Sequence, residues 1–137
     1  MKTLSTLLFL LVISAKCFSQ TDSLKAKRFI AESDKLFASG KFDEALLKAD
    51  SAIRSDTLYA EAYYSRAMCR VMKQDTQGAL NDFTICIRIM PGNSSAYYSR
   101  ALIKIYLHDK RGACEDLTKA IKLGHSDEFG LARQCCQ

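Results

Sequence analysis

The chain has 137 residues, 48% of them hydrophobic, which is material for one modest core rather than several domains. One proline and six glycines are too few for a turn-rich β fold, whereas the abundance of Ala, Leu, Lys, Glu and Asp favours helices. The formal charge of +5 is spread along the chain without a basic run, which argues against nucleic acid as a partner.

Met1 and Lys2 give a short positive start, and Leu4 to Ile13 form an apolar run broken by Ser5 and Thr6. Cys17 and Ser19 then supply small residues ahead of Gln20. That pattern predicts a cleaved export signal over residues 1–19, and the run is shorter than the roughly 20 apolar residues of a membrane span. A lipid anchor on Cys17 is disfavoured by Lys16, which stands where such a signal needs a small residue. The expectation is an exported protein, periplasmic or extracellular, with no membrane insertion after cleavage. Losing Lys2 and Lys16 would lower the charge from +5 to +3. Cys69, Cys86, Cys114, Cys135 and Cys136 would remain, an odd number in a compartment that permits disulfides.

After a lead-in over residues 20–25, the chain divides without gaps into blocks 26–59, 60–93 and 94–127. Each block reads as two amphipathic helices, A and B, joined by a short turn. In the first, helix A runs to about Ser39, Gly40 suits a left-handed C-cap, and Asp43 is the expected N-cap of a helix B ending near Ser55. In the second, Gln74-Asp75-Thr76 makes the inner turn and Pro91-Gly92-Asn93 the outer one. In the third these are His108-Asp109 and Gly124-His125-Ser126. The hexapeptide AYYSRA opens both later blocks, as Ala62 to Ala67 and Ala96 to Ala101, and those blocks share 12 of 34 residues by position. Self-similarity at this period predicts a helical solenoid. Residues 128–137 form the expected capping helix and tail, with Ser126-Asp127-Glu128 as its cap and Phe129 and Leu131 covering the end of the third block.

These blocks resemble tetratricopeptide repeats (TPRs), of a small exported bacterial type. The family favours a large residue at repeat position 4, here Phe29, Tyr63 and Tyr97. Its small residues at positions 8, 20 and 27 are matched by Ser33, Ala67 and Ala101, by Ala45, Ala79 and Ala113, and by Ala52, Cys86 and Ala120. Position 24 holds Ala49, Phe83 and Leu117, the first a departure, and the family's proline at position 32 survives only as Pro91. The resemblance implies an all-α solenoid of three TPRs plus a capping helix. It also implies a concave groove lined by helix A residues, among them Ile30, Phe37, Tyr64, Met68, Met72, Tyr98, Leu102 and Tyr106, with Val71 and Ile105 beside them. Positions 4, 8, 12, 5, 9 and 13 span an arc of about 180°, more than one core stripe needs, so apolar surface is left over in repeats 2 and 3. The competing arrangement, with positions 5 and 12 buried, is raised by Arg70 and Lys104 at position 11, which is usually core.

Charge adds a second pattern. Arg66 and Arg100 stand at position 7 with Asp82 and Asp116 at position 23, and the first repeat reverses both signs together as Glu32 and Lys48. The covariation predicts an exposed ion pair between helices A and B of each repeat, worth about 0–1 kcal/mol.

The positions by which some TPR co-chaperones grip a C-terminal carboxylate hold Ile30, Asp34, Ser65, Ser95 and Ser99, with no cation among them. The only histidines, His108 and His125, fall in turns and read as solvated; no nucleophile-base motif, phosphate loop, CxxC or zinc spacing is present. No enzyme activity, metal or cofactor is expected. Cys69 and Cys86 sit where small residues pack and read as buried thiols, while Cys114 is placed to form a disulfide with Cys135 or Cys136. The function expected is a non-enzymatic adaptor that binds an apolar peptide or helix of a protein partner in the groove. The alternatives are a structural, self-associating component of a cell-envelope assembly, or thiol redox chemistry at the vicinal cysteines.

Overall fold

The computed structural model of the protein describes residues 22–127 and 130–136. Its described residues form seven helices and no strand. Helix α1 covers residues 22–38, α2 Phe42–Ser55, α3 Ala60–Met72, α4 Thr76–Ile89, α5 Ser94–Tyr106, α6 Lys110–Lys122 and α7 Leu131–Cys135. Helices α1, α3 and α5 are the A helices, and α2, α4 and α6 the B helices. Neighbours in sequence pack on one another, α3 on α4 and α5 on α6 within repeats, α2 on α3 and α4 on α5 between them. That is the all-α solenoid expected from the 34-residue period. None of the described helices is long and apolar enough to cross a membrane, and residues 1–19, where an export signal is expected, lie outside the described residues.

Turn chemistry explains the boundaries. Gly40, Gln74 and His108 occupy one repeat position and all have positive φ, at 74°, 62° and 61°. Each therefore ends an A helix in the left-handed conformation, at no steric cost only for the glycine. Asp75 and Asp109 then cap α4 and α6, each side chain accepting the backbone N–H three residues on, from Gly78 and Gly112 at 2.9 Å. Those glycines are required by the cap: a Cβ would lie 2.1 Å from Asp75 Oδ2 and 2.2 Å from Asp109 Oδ2. The first repeat lacks this device. Its N-cap is Lys41, without a side-chain cap bond, and Asp43 lies inside the first turn of α2, ion-paired with Lys73 of the next repeat. The expected Asp43 cap is thus corrected by two residues, because Gly40 ends the turn earlier than the side chain suggests.

Small residues bring the helices together. Ala45, Ala49, Ala52, Ala62, Ala67, Ala79, Ala96, Ala101, Ala113 and Ala120 have no exposed surface. Phe83 and Leu117 fill the centres of repeats 2 and 3. Ala49 stands at the matching place in repeat 1, where a separate cluster of Ala26, Ile30, Ala49, Ala52 and Ala62 forms with Phe29, Ile53 and Tyr59 around it. Ser33, buried at an otherwise alanine position, donates its hydroxyl proton to the carbonyl of Ala45 at 2.9 Å and so avoids an unsatisfied polar group.

The C-terminal cap is shorter than expected. It begins at Leu131, whose N–H donates to Asp127 Oδ1 at 2.8 Å, and covers five residues. Cys136 is joined by a disulfide to Cys114 of α6, leaving Cys135 as a free, half-buried thiol. Phe129 lies outside the described residues.

Candidate functional site

Two adjoining cavities run along the A helices. The first, about 330 Å³, lies between α1 and α3 and is lined by Ile30, Ser33, Asp34, Phe37, Glu61, Tyr64, Ser65, Met68 and Cys69. The second, about 590 Å³, lies between α3 and α5 and is lined by Met68, Val71, Gln74, Thr76, Phe83, Ser99, Leu102, Ile103 and Tyr106. Met68 belongs to both walls, so the two cavities adjoin and together mark a trough along the A helices of three repeats. Val71, Leu102 and Tyr106 leave 40%, 42% and 74% of their surface in solvent. Large apolar side chains concentrated on one concave face are the sort of surface that soluble proteins otherwise bury.

Of the residues expected in this groove, Phe37, Tyr64, Met68, Leu102 and Tyr106 line the trough. Ile30 also reaches it but is only 8% exposed. Where Phe83 and Leu117 fill the later repeats, repeat 1 has Ala49, and Ile30 packs into its core with Ala26, Ala52 and Ala62. Met72 is half exposed yet lines neither cavity. Tyr98 is diverted as well, its ring stacking on His125 at 4.2 Å and 13°. His125 is therefore not the freely solvated loop residue expected from its place in the sequence: it is half-buried, and its Nδ1 lies 2.9 Å from the carbonyl of Ser126. Val71 lines the trough in place of Met72, its neighbour on the same turn.

Tyr64 turns its ring edge-on to Phe83, with centroids 5.5 Å apart. One wall of the trough is thereby anchored to the largest fully buried side chain.

Below the trough, the charged positions bind the helices to one another. Arg66 donates from Nε and Nη2 to Asp82 at 2.9 and 2.7 Å, and from Nη1 to Asp50 of the preceding repeat at 2.7 Å. Arg100 does the same, donating to Asp116 at 2.8 and 2.7 Å and to Thr84 of the preceding repeat at 3.2 Å. The carboxylates Asp82 and Asp116 are 1% and 4% exposed, so the expectation of exposed pairs is corrected for repeats 2 and 3. Only Glu32 and Lys48, 2.6 Å apart, pair at the surface. Their bond lowers the Glu32 carboxyl below its ordinary range. Hydrogen bonding to Asp82 raises the Arg66 pKa, and hydrogen bonding to Asp116 raises that of Arg100, both against the effect of burial.

Position 11 explains how buried carboxylates are tolerated there. Arg70 Nη1 lies 2.7 Å from Asp82 Oδ2, and Lys104 Nζ lies 2.8 Å from Asp116 Oδ2. Both also donate to backbone carbonyls of the facing B helix, Gly78 at 3.2 Å and Gly112 at 3.3 Å. Position 11 faces the inside of repeats 2 and 3 after all, and its cation completes the shell of a buried aspartate in each. The A helices are not rotated, which leaves positions 9 and 12 on the concave side.

Among the described residues, the buried thiols Cys69 and Cys86 form no ion pair, and Cys86 Sγ accepts from Asn93 Nδ2 at 3.6 Å. Burial, with a contribution from Asp34, pushes the Cys69 thiol up to about 11, and burial with a contribution from Glu61 does the same to Cys86. Both stay protonated and unreactive near neutral pH.

No protein-family model matches the sequence, and no curated protein matches it. Solved structures do. The first TPR domain of Spaghetti (RPAP3) bound to the HSP90 peptide SRMEEVD is similar at 21% identity and a TM-score of 0.77, over 84% of this chain and 93% of that one. The Arabidopsis OM64 TPR domain is similar at 18% identity and 0.77, over 83% and 96%. The TPR2B domain of yeast Sti1 in its pHsp70 complex is similar at 21% and 0.74, over 84% and 98%. Likeness at these identities concerns the fold, and the fold of this chain is that of a TPR domain.

Proposed function

We propose that the protein is a non-enzymatic interaction module that holds an apolar stretch of a partner protein in the trough along α1, α3 and α5. The observation that carries this reading is the pair of cavities adjoining at Met68 along the A helices, with Val71, Leu102 and Tyr106 exposed along the wider one. Burying these side chains against a partner would release about 25 cal/mol for each Å² of apolar area removed from water. Two of the similar structures are complexes, with an HSP90 peptide and with pHsp70. The same face of this chain differs in chemistry, because Ile30, Asp34, Ser65, Ser95 and Ser99 offer no cation to a terminal carboxylate. The setting we propose is an exported one, with residues 1–19 removed; the Cys114–Cys136 disulfide supports an oxidising compartment.

Photo-crosslinking in the native host tests the reading. A photoreactive residue at Leu102 is expected to give a discrete adduct with another protein, and one at Arg88 on the exposed side of α4 is expected to give none. Equal adducts from both positions, or adducts to the protein itself alone, would refute it in favour of self-association.

A further inference from the structure

The two halves of the trough differ in charge. The α3–α5 cavity has no charged residue in its lining, whereas the α1–α3 cavity is lined by Asp34 and Glu61 and by no Lys or Arg. This is unusual in a chain of net charge +5. Among the described residues, other carboxylates are committed elsewhere. Asp22, Glu32, Asp43, Glu44, Asp50, Asp82 and Asp116 are in ion pairs. Asp56, Asp75, Asp109 and Asp127 accept backbone N–H groups at turns and helix starts. Asp34, Glu61 and Glu115 have neither kind of partner, and two of these three line one apolar cavity.

Asp34 is also held in place across that cavity. Ser65 of α3 donates to its Oδ1 at 3.4 Å, linking the walls formed by α1 and α3. Tyr64 lines the same space, and an aromatic face beside two carboxylates adds a quadrupole attraction for a cation.

We infer, building on the groove reading above, that the partner segment carries a Lys or Arg next to its apolar residues. Its cation lies between Asp34 and Glu61, and its apolar side chains fill the cavity beside Val71, Leu102 and Tyr106. The apolar part supplies most of the affinity, and the carboxylates set direction and discriminate against acidic segments. An acidic peptide would place like charges together at a cavity that has no cation to offset them.

Selection from a phage-displayed random dodecapeptide library on the intact protein, in parallel with the D34N/E61Q and L102E variants, tests this. All three substituted side chains are exposed, so the variants are expected to keep the helical circular dichroism of the parent. Selected sequences should combine apolar residues with Lys or Arg, the basic residue enriched about fivefold over the library, as two partly desolvated ion pairs would give. On D34N/E61Q the basic enrichment should disappear while apolar selection persists. Apolar sequences without a basic bias on the parent protein, lost on L102E, would overturn the charge inference and leave the groove reading standing. A basic bias that survives D34N/E61Q would overturn it equally. Selection indistinguishable between the parent and L102E would overturn the groove reading itself.

Discussion

Arg100 and Asp116 meet through two parallel hydrogen bonds, Nε to Oδ2 at 2.8 Å and Nη2 to Oδ1 at 2.7 Å, with the carboxylate almost wholly buried. Removing one member of a fully uncompensated buried pair costs about 3–5 kcal/mol. Lys104 stays 2.8 Å from Asp116, so Arg100→Met should cost less, about 2–3 kcal/mol. Asp116→Leu should cost at least as much, because it leaves two part-buried cations facing each other. The double variant should lose clearly less than the sum, with a coupling of about 1–3 kcal/mol. Urea unfolding of the four proteins measures this, and strictly additive losses would show that the pair does not act as a unit.

The disulfide fastens the short α7 to α6 across a sequence separation of 22. A loop of that size gives about 3 kcal/mol in the chain-entropy account. Cys136→Ser should therefore release the C-terminal segment, seen as faster hydrogen exchange after Leu123 with α3 and α4 unchanged. Cys135→Ser should have no such effect.

Thiol accessibility follows from burial. In the native protein at pH 8 a disulfide-exchange reagent should modify Cys135 quickly and Cys69 and Cys86 only on unfolding. The same burial fixes a pH dependence. A folded pKa of about 11 lies above the unfolded value of 9.0, so the protonated thiols contribute their full stability below pH 9. That contribution is lost as pH rises from 9 to 11, on the order of 2–3 kcal/mol for each thiol. Alkaline titration of the thermal midpoint should show a shallower fall in Cys69→Ala than in the parent.

Backbone strain at the inner turns predicts opposite signs for matched substitutions. His108 has a left-handed φ of 61°, which costs a non-glycine residue about 1–2 kcal/mol, offset in part by the chain entropy of glycine. His108→Gly should stabilise by about 0.5–1 kcal/mol. Gly40→Ala should destabilise by about 1 kcal/mol, although no atom lies within 4 Å of the added methyl. Denaturant midpoints decide both.

Much of this fold is legible in the sequence, because a 34-residue repeat places the same small residues at the same contacts three times. The turns around Asp75, Asn93 and Asp109 and the helix end at Gly40 follow from local chemistry, whereas the cap expected at Asp43 does not form and the capping by Asp75 and Asp109 shows only in the structure. The Arg66–Asp82 and Arg100–Asp116 pairs were visible because their signs reverse together in repeat 1. What escaped involves contacts between repeats or between helices of unequal phase. Asp50 joins Arg66 across a repeat boundary, and Arg70 and Lys104 reach aspartates twelve residues away on another helix, so no single-helix pattern shows them. The stacking of His125 on Tyr98 depends on how the chain leaves α6. The groove was legible as a face, but the commitment of Ile30 to the core required knowing that it packs among Ala26, Ala49, Ala52 and Ala62.

The guanidinium that reaches back one repeat gives the array a direction of growth. Arg66 finds Asp50 and Arg100 finds Thr84 at the same place in the preceding repeat, and Thr118 stands at that place in the third. A duplicated third repeat inserted after itself would find its acceptor waiting, whereas the first repeat, with Glu32 in place of the arginine, has nothing to offer a neighbour in front of it. Lengthening this protein by tandem duplication is therefore open at its C-terminal side and closed at its N-terminal side, and each added unit would extend the trough by one more A helix.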